Sequence, residues 1–543
     1  MTIKQELSNL IKEALLKLPL KDQDIPEIII EPPRHKAHGD FATNVAFLLA
    51  KKLRASPPQI SNRIVDLIPT DSSLLRKIKI AGGGFINFFL TPSRLQQVLP
   101  QIEAEDTRFG TSKTKEGKVL VEFVSANPTG PLHIGHGRGA VYGDCLANIM
   151  AAVGYQVERE YYINDVGNQM QSLGRSLLIR YKQLQGSDIP LPENGYQGDY
   201  LIQLAKTLPE GAEDKGLDFF IQVAKEEILK EIEADLAALG IKFNRWFSEE
   251  GLYASGQVDE TIRVLKGKGY AYESEGAWWL ASSGFGDEKD RVLVRGTEVP
   301  TYLAGDIAYH RDKYNRGYDL LIDIWGADHH GYIERMKAAC AALDHKPDSL
   351  VILLYQLVNL LRDGKQVNMS TRGGEFVTLK EVVEEVGPDA ARFFFMMRDH
   401  DSHLDFDLEL AKRHSTENPV YYVQYAHARI CSILREAADR GIIRRPAQEC
   451  QLDLLTEDKE LELLTKLAAL PDDVIKWANA FQVHHLTLYL QDLAAIFHHY
   501  YNHNRVISQD NQLSLARLAL VNSIRIVIRN VLHLLGVSAP EKM

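Results

Sequence analysis

The run KVLVEFVS, residues 118–125, constrains this chain more than any other. It is nearly all apolar and rich in β-branched residues, as a strand buried on both faces requires. The loop ANPTGPLH follows. Then Ala140, Val141, Leu146, Ile149, Met150 and Val153 recur at mostly helical spacing up to Gly154, and YQVEREYYI supplies a second strand. Strand, Gly/Pro loop, helix and strand make a βαβ unit, which implies a parallel sheet with its ligand beyond the carboxyl ends of the strands. A second half repeats the pattern. YDLLIDIWGADHHGYIERMKAACAAL reads as strand, turn and helix, and SLVILLYQLVNLL as a further strand.

At 543 residues the chain exceeds what one hydrophobic core serves. Residues 1–110 mix helical patterns (3–18, 43–53, 59–67) with short strand-like runs, EIII at 27–30 and GFINFFL at 84–90, and read as an α+β domain. The charged stretch EAEDTRFGTSKTKEGK makes a linker after it. Residues 111–414 form the α/β unit, a Rossmann-like parallel-sheet domain with a mostly helical insertion at about 165–290. Residues 415–543 are nearly all helical in pattern and read as an all-α bundle. A net charge of −11 argues against a surface generally coated by nucleic acid, while leaving room for a local basic stripe. The four cysteines are far apart with no CxxC pair, which fits a reducing cytosol and no structural zinc. Glu6 and Glu13 interrupt the N-terminal amphipathic pattern, so it is no signal peptide, and no eighteen-residue apolar run suggests a membrane partner. A cytoplasmic location is the expectation.

The loop after the first strand carries the chemistry. In NPTGPLHIGHGRGAVYGD, His133 and His136 stand three apart among glycines and prolines. They could be a metal pair, a phosphate grip or two solvated turn residues. Gly135, Gly137 and Gly139 lack the spacing of a dinucleotide fingerprint, and His136 and Gly137 stand where a Walker loop needs Lys and Ser/Thr. A metal pair needs a third ligand, and no Cys, Asp or Glu nearby is placed to supply one. The phosphate reading is favoured: a helix N-terminus at a strand's end attracts anions, and both imidazoles would donate to phosphoryl oxygens as charge develops.

HIGH at 133–136, just after a buried strand, resembles the signature of class I aminoacyl-tRNA synthetases. Small nucleotidyltransferases use a similar HxGH, but they need neither the insertion nor the helical tail. VEFVSANPTGPLHIGHGR, EYYINDVGNQ (160–169), GADHHGY (326–332), GPDAARFFF (387–395), LDFDLELA (404–411) and NPVYYVQYAHARI (418–430) together resemble arginyl-tRNA synthetases, as do HGDFATN (38–44) and GGGFINF (82–88). The resemblance runs through nearly the whole chain.

It implies ATP, carried with magnesium, L-arginine and tRNA(Arg) as substrates, no DNA partner, and a monomer. His133 and His136 would stabilise the transition state of adenylate formation. Glu122, Ser125, Asn127, Tyr302 and Asp306 would hold arginine, with Tyr302 and Asp306 on the guanidinium side. A guanidinium keeps its charge at any relevant pH and wants carboxylates and planar acceptors in a fixed fork. From the residues alone, Asp306 is equally a solvated helix acid or an N-cap, while Glu122 in an apolar strand demands a partner such as a bound cation. Gly135, Gly137, Asp328, His329 and Met369 would line the ATP crevice, His330 being a neighbour of undecided role. Tyr422, Tyr425 and Met543 would meet tRNA from an anticodon-binding tail, and the first domain would meet its outer corner through RHK (34–36) and KKLR (51–54).

One segment departs from the family. Where class I enzymes carry KMSKS, this chain has NMSTR, with Asn368 and Thr371 at the lysine positions. Lys365 and Arg372 are the nearest cations, and the Ser370 hydroxyl would contribute beside them.

Overall fold

Val119, Leu120 and Val121 are fully buried in the central strand of a five-stranded parallel sheet, as their apolar run requires. The computed structural model describes residues 2–33, 35–69, 73–367 and 377–543. The sheet strands are β1 (Lys118–Glu122), β2 (Gln156–Ile163), β3 (Arg245–Ser248), β4 (Leu320–Gly326) and β5 (Leu350–Tyr355). They lie in the order β5-β4-β1-β2-β3. The strand order therefore reverses between β1 and β4, which opens the crevice where ligands of doubly wound sheets bind. Helix α1 (Ile134–Ala152) leaves β1 at that crevice, and α2 (Tyr302–Asn315) leads into β4.

The stretch expected as a helical insertion differs in part. Helices Asn168–Leu184, Asp199–Thr207 and Leu217–Ala238 fill its first half, but Arg245–Ser248 returns to the main sheet beside β2. Ala271–Ser274 and Ala277–Leu280 then form a hairpin that pairs with Arg291–Val294. Four residues of RWFS are too few to show strand periodicity, which is why the sequence pattern hides β3. SLVILLYQLVNLL is two strands, β5 and Val358–Arg362, in different sheets.

The N-terminal region packs Ile3–Leu16, Val45–Leu53 and Pro57–Leu67 with an antiparallel sheet of Phe41–Thr43, Phe85–Leu90 and Leu75–Ala81. EIII is no strand there; only Glu31 pairs, with Ala42. The C-terminal region holds helices Pro419–Asp439, Asp458–Ala480, His485–His503 and Asn511–Leu535. The last is long and apolar enough to cross a membrane by composition, yet most of it is buried inside the protein.

Helix α1 is clamped on several sides. A Cβ at Gly137 would lie 2.5 Å from Leu379 Cδ1, at Gly139 2.8 Å from the Tyr355 ring, and at Gly143 2.2 Å from Phe123. These glycines let neighbouring elements close on the helix. On its C-terminal half, Tyr142 Oη donates to the Phe481 carbonyl at 2.8 Å and Asn148 Nδ2 to the Leu534 carbonyl at 3.0 Å. The buried guanidinium of Arg392 spans Asp144 at 2.6 Å and the Leu535 carbonyl at 2.6 Å. The ends of two C-terminal helices are thus hydrogen-bonded to the helix that begins at the HIGH residues.

Candidate active site

His133 is the N-cap of α1. Its Nδ1 accepts from the Gly135 amide at 3.1 Å, while His136 Nδ1 accepts from the His133 amide at 3.3 Å. This is a capping box with imidazoles in place of Ser/Thr and Glu. The two rings stack with centroids 3.7 Å apart. Because each Nδ1 accepts, the proton of each neutral ring sits on Nε2, which is then free to donate. Burial holds both histidines below their ordinary value, His136 at about 3. Both are therefore neutral donors at physiological pH, beside a cavity of about 600 Å³ that also borders Asn127, Thr129, Tyr196 and Tyr200. At saturating arginine, the single-turnover rate of adenylate formation is expected to show no histidine limb between about pH 6 and 8. A limb in that range that vanishes in His136→Ala would contradict the assignment. Stability behaves differently. A neutral buried His136 contributes fully above its ordinary 6.5, and that contribution is lost as pH falls towards about 3.

The two glycines of the nucleotide expectation separate. A Cβ on Gly135 would meet the His133 ring, 2.9 Å away. Gly137 is buried against Leu379 and Phe395, so its small size serves packing.

Residues far apart in sequence meet at the strand ends. Asn127 Nδ2 donates to Gln169 Oε1 at 2.8 Å, and two residues before Gln169 a Cβ at Gly167 would lie 3.0 Å from Tyr302 Oη. Tyr302 and Asp306 occupy successive turns of α2. Asp306 is neither a solvated acid nor the N-cap, which is Thr301: it accepts from Tyr332 Oη at 2.5 Å, and burial raises its carboxyl above the usual range.

Beside Asp306 lies a carboxylate that the motif reading missed: a Cβ at Gly305 would come within 3.3 Å of Glu249 Oε1. Glu249 is 3% exposed; its Oε2 and the buried Tyr162 hydroxyl both fall outside strict hydrogen-bond geometry, but the two groups face each other and Tyr162 pulls the Glu249 carboxyl down. Burial, with Asp306 and Asp165 nearby, pushes Glu249 up to about 7. A buried acid beside another acid is costly unless a cation completes the pair. Its sequence signal was slight: SEE after RWF, a serine N-cap opening a short helix at the end of β3.

Glu122 differs from its expectation. Its carboxylate already has a partner within the chain: Lys313 Nζ lies 2.5 Å from Oε2, while Ser125 Oγ donates to Oε1 at 2.9 Å. Burial alone therefore does not demand a bound cation at Glu122. Ser125 also accepts from the Tyr162 amide at 3.1 Å. Val124 and Ser125 hold this turn with φ of 68° and 40°, a left-handed conformation that costs energy, most of all for a β-branched residue.

Asp328 and His329 lie on the exposed turn after β4, across the crevice from α1, with 82% and 59% of their side chains exposed. Lys365 is exposed on the short strand Lys365–Gln366. Met369, Ser370 and Arg372 lie outside the described residues, as does Arg34 of the basic RHK cluster. Among the described residues, no three His, Cys, Asp or Glu side chains converge as a metal site.

In the tail, Tyr422 and Tyr425 lie with ring centroids 4.6 and 5.7 Å from that of His498, and Arg429 lies over Tyr425 at 5.1 Å. Met543 is half exposed. His427 and Tyr500 are core residues instead, bonded to the Pro540 carbonyl and to Glu460.

Three family models cover the chain in succession. The arginyl tRNA synthetase N-terminal domain matches residues 5–90, the catalytic domain of class I (R) tRNA synthetases matches 98–191 and 202–420, and the DALR anticodon binding domain matches 423–543. The arginine–tRNA ligase of Syntrophotalea carbinolica is 51% identical over the full length of both chains. That of Desulforamulus reducens is 49% identical over all of this chain and 99% of its own. Among solved structures, arginyl-tRNA synthetase of Thermus thermophilus superposes with a TM-score of 0.79 at 23% identity, covering 99% of this chain and 100% of its own. At that identity the likeness speaks for the fold.

Proposed function

The chain belongs to the arginyl-tRNA synthetase family, and from that premise we propose how its residues divide the work of an arginine–tRNA ligase. Such an enzyme joins arginine to ATP and passes the arginyl group to tRNA. An oxygen of the arginine carboxylate attacks the α-phosphorus, the bond to pyrophosphate breaks, and arginyl-adenylate forms. A hydroxyl of the terminal ribose then attacks the activated carbonyl and AMP leaves.

The observation that supports the assignment of arginine is the acid pair of buried Glu249 and half-buried Asp306, close together among tyrosines with no cationic side chain bonded to either carboxylate among the described residues. That pocket suits a planar cation held in a fork. Asn127, Ser125 and Glu122 would receive the α-amino and carboxylate end, placing the carboxylate beside the HIGH histidines. Nε2 of His133 and His136 would donate to the α-phosphoryl oxygens as the fifth bond forms; neither forms a covalent bond. ATP enters with magnesium on its phosphates, its ribose and base passing Gly135, Asp328, His329 and Met369. Residues 1–110, 111–414 and 415–543 would act as the corner-binding, catalytic and anticodon-binding units. Tyr422, Tyr425 and Met543 would meet tRNA, and a cytoplasmic monomer fits this work. Incubation with labelled arginine, ATP and tRNA(Arg) transcript is expected to give alkali-labile arginine at the RNA terminus. A transcript left uncharged under these conditions would overturn the reading.

The missing signature lysines leave the pyrophosphate without its usual cations. Lys365 and Arg372 are assigned that role, with Ser370. Alanine at both cationic positions is expected to slow arginine-dependent pyrophosphate exchange by about tenfold or more, the scale of one lost charge-assisted contact. Unchanged exchange would remove the assignment.

A further inference from the structure

Three acids lie in register across neighbouring strands: Asp323 on β4 pairs with Glu122 on β1, which pairs with Glu160 on β2. Adjacent parallel strands sit about 4.8 Å apart, so the three carboxylates share one face of the sheet. Helix α2 packs on that face and supplies their partners. Lys313 Nζ bridges Glu122 at 2.5 Å and Asp323 at 2.7 Å, with its side chain wholly buried. Tyr309 Oη donates to Glu160 Oε1 at 2.7 Å, Arg316 beyond the helix meets Glu160 at 2.6 Å, and His310 Nε2 lies 2.8 Å from Asp323. Two buried carboxylates therefore share one ammonium, and of the three acids only Glu122 is the last residue of its strand.

We propose that Lys313 is a positioning residue for arginine's α-ammonium group: by gripping Oε2 of Glu122 it fixes that carboxylate with Oε1, beside Ser125, turned to the substrate. This rests on the reading of Glu122 as the ammonium ligand. Around Glu122 the charged and titratable groups are Lys313, His310 and Tyr309 from α2, Asp323 from β4, and Glu160 and Tyr162 from β2. Burial raises Glu122, the Lys313 ammonium is the largest pull the other way, and Asp323 adds to the rise. Replacing Lys313 by an apolar residue therefore raises Glu122 further, and neutralising Asp323 lowers it.

The test compares arginine with 5-guanidinopentanoic acid, which is arginine without its α-amino group, in pyrophosphate exchange with tRNA present. The ratio of arginine KM to analogue Ki cancels every group that serves the guanidinium, Glu249 included. Lys313→Met is expected to raise the arginine KM about 10- to 100-fold, the worth of a charged hydrogen bond, with the analogue Ki moving less than about threefold. The acid limb of the ratio moves to higher pH in Lys313→Met and to lower pH in Asp323→Asn. Equal losses for both compounds, or a limb that stays put in Asp323→Asn, overturn the proposal. Where Lys313→Met fails to fold, the near-isosteric Asp323→Asn decides alone. A wild-type enzyme that binds the two compounds alike refutes the Glu122 reading itself, whereas wild-type discrimination preserved in Lys313→Met refutes only the role of Lys313.

Discussion

His136→Ala is expected to lower the maximal rate of arginyl-adenylate formation by about 10²–10³-fold, while the KM for arginine changes little. The reason is geometric. His136 Nδ1 is occupied by the His133 amide, so the group it offers the reaction is one Nε2–H, aimed from a helix N-terminus that itself favours anions. That donor gains strength only as negative charge builds on the phosphoryl oxygens, so its loss falls on the transition state and spares the bound ground state. The ring is neutral, which is why no change of pH between about 6 and 8 imitates the substitution. A maximal rate unchanged in His136→Ala would end the proposed role, as would a loss confined to KM. His136→Asn keeps a side-chain acceptor for the His133 amide and separates that capping function from donation to phosphate.

Glu249→Gln is expected to act on the other side of the same reaction, raising the KM for arginine by about 10²-fold with a smaller effect on the maximal rate. Glutamine keeps the shape and one acceptor oxygen but presents an amide to the guanidinium. The pH dependence supplies a second reading of the same residue. Glu249 in the free enzyme sits at about 7, and only its ionised form takes the cation, so kcat/KM for arginine falls as pH drops through that region. The limb belongs to Glu249 and disappears in Glu249→Gln. A limb that persists there, or an arginine KM that does not move, would place the guanidinium elsewhere.

How much of this was legible in the sequence depends on the range of the interaction. The βαβ unit, the loop at its crevice and the helical tail follow from periodicities within twenty or so residues, and those are the elements a pattern reading finds. Asn127, Tyr302 and Asp306 took their expected roles from the family resemblance, and the fold brings Asn127 and Tyr302 to the same short segment, at Gln169 and Gly167. Glu249 had no such signal, because the strand that presents it is four residues long and lies inside a stretch dominated by helix. Lys313 stands 191 positions from the carboxylate it holds, and its charge in a helix reads as a solvated face until β1 and β4 are set side by side. Gly137 reads as room for a nucleotide, and only three dimensions show that it also makes room for Leu379 and Phe395.

The same distinction applies to the aromatic residues of the tail. Residue type and helical pattern alone cannot separate Tyr422 and Tyr425 from Tyr500, since all three are tyrosines within helices of the tail. Tyr500 is fully buried with its hydroxyl on Glu460, whereas Tyr422 and Tyr425 remain partly open around His498. Burial, which depends on where the other helices pass, separates them.

ATP–pyrophosphate exchange, run with each amino acid in turn and with and without tRNA(Arg), tests the central claim most directly. Exchange is expected with arginine and no other amino acid and to depend on the HIGH histidines, and membership of the family implies that it is greatest when tRNA is present. Exchange driven by an uncharged or acidic amino acid, or none with arginine in the presence of tRNA, would contradict it.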